Sequence, residues 1–177
     1  MIRYWLSVLI LAAGLVFIGS VTRCGFLALI DLPSFIITIM TPFLFVTILF
    51  GFKDTCRAFS VLYKKEKKQD TLLSALGFFK VYSKAIWISA IIAVLTGGTG
   101  MLINLDVPSA IGPHLALALV ALLYGGVAQL AIVLPYTVLI NKHLGNSNIH
   151  SDLFSLFGSL FGVTAVYFLL FVILVPV

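Results

Sequence analysis

Between Asp106 and Lys142 this chain carries no Asp, Glu, Lys or Arg. A helix rises 1.5 Å per residue and the hydrocarbon core of a bilayer is about 30 Å thick, so about 20 consecutive apolar residues cross it. The stretch 111–134 meets that length, and residues 4–21, 34–52, 85–102 and 153–175 are comparable apolar runs. Of the 177 residues, 62% are hydrophobic and 10% charged, whereas a soluble domain is roughly a quarter charged. The sequence therefore predicts an all-α, polytopic helical membrane protein with about five transmembrane helices. It is read as a single membrane domain over 1–177, with no room for a separate soluble domain.

The net charge of +5 does not point to nucleic acid, because the basic residues cluster beside the apolar runs. Eight of the eleven Lys and Arg residues fall in 53–84, including the KKEKK run at Lys64 to Lys68. Positive charge beside spans marks the cytoplasmic side, so 53–84 is expected to be a cytoplasmic basic loop. The N-terminus is then also cytoplasmic, with 4–21 an uncleaved span rather than a signal peptide, because no small-residue cleavage site follows it. Cys24 and Cys56 are expected on opposite sides of the membrane as unpaired thiols.

Local signals place the ends and faces of the helices. Asp31 and Pro33 punctuate the approach to the second span, with Ser34 a plausible N-terminal residue. Pro42 is expected to kink that span, with Thr38 and Thr41 near enough to take up freed backbone groups. Leu72, Leu73, Leu76 and Phe79 recur at helical spacing, predicting extensions of the second and third spans that meet in a turn near Lys67 to Asp70. Thr96, Gly97, Gly98, Thr99 and Gly100 suit close helix approach in lipid. Asp106 reads as a turn residue, and Ser109 as a candidate cap for the fourth span.

On the fourth span Ala118, Ala121, Gly125 and Ala128 share one face, which predicts tight helix packing. Gln129 lies beside that face. An amide at this depth needs a partner, whether a pore-lining contact or an interhelical hydrogen bond. In the last apolar run Ser155, Gly158, Ser159 and Gly162 form a second small-residue stripe.

No span has an acid or base at its centre, and there is no phosphate loop, HExxH, CxxC or serine elbow. His114, His143 and His150 are dispersed. No enzyme activity, catalytic residue, metal site or cofactor is expected.

Two stretches carry a resemblance. Asp31-Leu32-Pro33-Ser34 opens the second span. Met101-Leu102, Asn104-Leu105, Pro108-Ser109, Ile111-Gly112-Pro113, Ala118-Leu119, Tyr124-Gly125 and Pro135 fall in order on a single pattern with no insertion or deletion needed. Together they resemble the MotA/TolQ/ExbB proton-channel family, closest to a short MotA-like stator subunit. The resemblance implies a homopentamer in the bacterial inner membrane around a MotB- or ExbD-like single-span protein that carries the ion-binding aspartate. It also implies that the third and fourth spans line the ion path; Thr96, Thr99 and Gln129, as polar groups that could stand in for the family's hydroxyls, are the candidate path residues with Tyr124, and Pro135 is a structural one.

Three departures accompany it. The family's threonine positions fall on Val94, Ala121 and Leu122, the cytoplasmic region is cut to 53–84, and the run 153–175 has no counterpart in the four-span pattern. Two readings therefore stand: a proton or sodium channel subunit, and a non-conducting pentameric membrane scaffold that has lost the ion path.

Overall fold

The computed structural model describes residues 31–61 and 68–145, together with Leu9 and Ala13. The expected spans 4–21 and 153–175, Cys24 and most of the KKEKK run lie outside the described residues. Within them the chain is all helix, and three helices are long and apolar enough to cross a membrane.

Helix α1, Leu32–Phe50, starts at an N-cap supplied by Asp31 rather than at Ser34. The Asp31 backbone is extended (φ −113°, ψ 108°) and its Oδ2 accepts the Ser34 N–H at 2.9 Å. A short carboxylate side chain can reach the unpaired N–H groups of the first turn, which explains the choice of cap. The Ser34 hydroxyl also donates to Asp31 Oδ2.

Pro42 is accommodated by a π-helical turn, Ile36–Met40, in which the Thr41 N–H reaches back to the Ile36 carbonyl. The wider turn moves the carbonyls that a proline ring would strike. The Thr41 hydroxyl donates to the same Ile36 carbonyl at 3.0 Å, whereas Thr38 Oγ1 has no partner among the described residues. The same device recurs at the same offset before Pro135, where the π-helical turn is Gln129–Val133.

Span α1 does not run straight on into a cytoplasmic extension. Gly51 adopts φ 86°, ψ 147°, a backbone that favours glycine, and the chain turns there into α2, Phe52–Ser60. Phe59 of α2 packs edge-on against Phe43, Phe78 and Phe79, so α2 folds back against the bundle.

Helix α3 is a single 35-residue rod, Gln69–Ile103. It begins at the turn expected near Lys67 to Asp70, and Leu72, Ala75, Leu76, Phe79 and Tyr82 join the third span and its expected extension into one continuous buried face. Helix α4 runs through Pro108–Ala128, the π-helical turn and Leu134–His143, well past Leu134. Its N-cap is Val107 with Pro108 opening the helix, so Ser109 lies inside the first turn. Lys142 and His143 occupy its last turn, where cations suit the helix dipole, and Gly145 at φ 71° ends it.

Helices α3 and α4 form the principal antiparallel pair, and α1 lies across both. The core at the end where α2 packs is aromatic: Phe79 stacks on Tyr136 with centroids 4.7 Å apart, and Phe50 meets Phe78 edge-on at 5.6 Å. Rings supply large contact areas, and edge-to-face pairs add to simple burial.

Candidate functional site

The α3–α4 pair approaches most closely where its glycines lie. A Cβ at Gly97 would stand 2.7 Å from the His114 carbonyl oxygen and 2.9 Å from the Ala118 Cβ. At Gly100 it would strike the His114 ring at 2.5 Å, so that ring fills the notch left by the missing side chain. Asn104 closes the same corner, donating from Nδ2 to the Gly100 carbonyl at 2.8 Å and lying 3.5 Å from His114 Nε2. Asp106 is exposed in the turn beyond.

The expected packing face of α4 is in place. Ala118 and Ala121 are fully buried, Ala128 nearly so, and Gly125 takes α3 and α1 together: a Cβ there would meet Ala90 at 3.3 Å and Thr38 at 3.7 Å. Small residues let backbones approach, and here they admit two neighbours at one point.

Tyr124 stands where α1 begins. Its hydroxyl accepts the Asp31 N–H at 3.0 Å and its ring meets Phe35 edge-on at 6.0 Å. Ser34, fully buried, sends its hydroxyl toward the Leu117 carbonyl at 3.3 Å. The Asp31–Ser34 segment and the Tyr124-Gly125 pair are thus one structural unit.

No protein-family model, curated protein or solved structure matches the chain.

The four candidate path residues do not converge. Gln129 is 1% exposed and tied to Ser83 twice: its Nε2 donates to the Ser83 carbonyl at 2.9 Å, and the Ser83 hydroxyl donates to its Oε1 at 3.0 Å. Thr96 and Thr99 lie instead on the outward side of α3, each hydroxyl donating to its own helix, to Ile92 O at 2.8 Å and Thr96 O at 2.9 Å. Tyr124 is engaged with α1. The outward stripe of α3 runs through Lys80, Lys84, Ile88, Leu95, Thr96 and Thr99 at helical spacing.

Ser83 was not legible as the Gln129 partner, since a serine at a span end gives no sign of which helix it will face. Its signal was the amide itself, which requires a group at its own level. Among the described residues no cluster of three or more His, Cys, Asp or Glu side chains could hold a metal, and the one ion pair is Arg57 with Asp54 at 3.0 Å. That pair borders a cavity of about 400 Å³ shared with Asp70, Thr71 and Ser74 where α2 crosses the start of α3. Cys56 is a free, exposed thiol on α2.

Proposed function

We propose that the chain is a MotA-like subunit of an ion-driven membrane motor, which forms a proton or sodium channel with a single-span partner. The observation that carries this reading is the Asp31–Tyr124 hydrogen bond. It joins two segments 93 positions apart, and these are the two segments whose wording resembles the MotA/TolQ/ExbB family. A resemblance borne by separated motifs gains weight when the fold brings those motifs into contact. In this reading five copies surround an aspartate-bearing helix in the bacterial inner membrane, with the basic end of the bundle cytoplasmic.

The non-conducting pentameric scaffold remains the second reading, and one observation favours it. The outward stripe of α3 is apolar between Lys84 and Thr96, and both threonine hydroxyls are spent on their own helix. The test is co-expression with a single-span protein carrying an aspartate near the start of its span. Proton or sodium flux in reconstituted vesicles supports the channel. A stable complex without flux supports the scaffold.

A further inference from the structure

The cavity between α2 and the start of α3 follows from residue spacing. On α2, Asp54, Arg57 and Ala58 lie three and four apart, and on α3 Asp70, Thr71, Ser74 and Ala75 repeat that spacing, so each helix turns one stripe toward the other. Ala58 and Ala75, each 2% exposed, bring only methyl groups to the contact, and the space left beside them is about 400 Å³. That is the size of a small-ligand pocket. Phe59, the next residue of α2, pins the helix edge-on to Phe78 and Phe79.

The polar groups of its wall are only partly engaged. Arg57 gives one N–H to Asp54 Oδ1 at 3.0 Å, and the rest of its five N–H donors remain free of partners among the described residues. The side chains of Asp70, Thr71 and Ser74 have no hydrogen-bond or ion-pair partner there either. One cavity therefore offers an unpaired carboxylate together with a guanidinium and two hydroxyls. A simple cation would meet Arg57, and a simple anion would meet Asp54 and Asp70. A ligand that carries both signs satisfies both sides of the wall.

We propose that this cavity binds a phosphate ester that carries a primary ammonium group. The ammonium donates to the Asp70 carboxylate, and the phosphate accepts from Arg57, Thr71 and Ser74. Guanidinium matches phosphate geometry, and hydrogen bonds with a charged partner are about twice as strong as neutral ones. This chemistry has two sources, the headgroup of phosphatidylethanolamine and free phosphorylated amines in water. Helix α2 starts at the Gly51 turn, where a helix apolar enough to cross a membrane ends, and Ser74 is one turn from Phe78, which meets Phe50 at that end. Both sources reach that level. The site stands whether or not the protein conducts ions.

The test is isothermal titration of the full chain, in micelles of an uncharged sugar detergent, with O-phosphoethanolamine and with phosphocholine. Phosphocholine keeps the phosphate and the positive charge but has no ammonium N–H to give Asp70. The lipid arm sets phosphatidylethanolamine against phosphatidylcholine in the same micelles. The ethanolamine member of a pair is expected to bind about tenfold more tightly than the choline member, the worth of one charge-assisted hydrogen bond. Asp70→Asn, at an exposed position, is expected to abolish that preference, and Arg57→Gln to weaken both members by about tenfold. An Asp70-dependent preference in the lipid arm alone assigns the cavity to headgroups, and one with the free compounds alone assigns it to a soluble ligand. Equal binding within both pairs, or a preference that survives Asp70→Asn, overturns the proposal. If Asp70→Asn fails to accumulate, Arg57→Gln decides alone, and binding unchanged by it overturns the proposal.

Discussion

The Tyr124 hydroxyl accepts the backbone N–H of Asp31 at 3.0 Å, so the residue that caps α1 is itself held by the middle of α4. Three contacts meet there: the cap from Asp31 to the Ser34 N–H, the tie to Tyr124, and the Phe35–Tyr124 ring pair. Tyr124→Phe keeps the ring and removes the hydroxyl that accepts the Asp31 N–H. It is expected to lower unfolding stability by about 1 kcal/mol, the net worth of one hydrogen bond. Asp31→Ala removes the cap and is expected to lower it by about 1 kcal/mol as well. Thermal denaturation of the protein in detergent measures both.

Glycines of α3 within one turn of each other are expected to respond in opposite ways. Gly97→Ala places a Cβ 2.7 Å from a backbone oxygen that cannot easily move, so a loss of about 1–3 kcal/mol is expected. At Gly98 a Cβ meets nothing within 4 Å, and Gly98→Ala is expected to be neutral or to stabilise by up to about 1 kcal/mol through reduced chain entropy. Equal melting temperatures for the two variants would contradict the close approach of α3 and α4.

Gln129→Leu removes both interhelical bonds to Ser83 and is expected to lower stability by about 1 kcal/mol. In a double-mutant cycle, Ser83→Ala with Gln129→Leu is expected to cost less than the two single changes added, because the partners are lost together. Strict additivity in the melting data would separate Gln129 from Ser83.

Thr38 is fully buried at the π-helical turn, and its hydroxyl has no partner among the described residues. Thr38→Val keeps the shape and deletes that hydroxyl, so stability is expected to rise by about 1 kcal/mol. A fall in stability would show that the hydroxyl is satisfied in the assembled protein.

Apolar runs and small-residue spacing make much of this fold legible in the sequence. The fourth helix, its packing face and the Gly97–Gly100 approach follow from residues that act locally or along one helix. What the sequence hid depends on a partner or a backbone angle. The break at Gly51 needs a left-handed φ that no pattern announces, so α1 and α2 read as one extension. The extension of α3 was not hidden, because Leu72, Leu76 and Phe79 mark its buried face among the charges. Ser83 and Gln129 are 46 positions apart, and only the antiparallel pairing of α3 with α4 sets them at one level. The same pairing separates Gln129 from Thr96 and Thr99, which the sequence could not do.

The count of subunits tests the central claim most directly. On the proposed reading, native mass spectrometry of the detergent-purified protein, co-expressed with a single-span protein that carries an aspartate near the start of its span, is expected to show five copies of this chain in the complex. A monomer, or any closed assembly other than five, would contradict a MotA-like architecture.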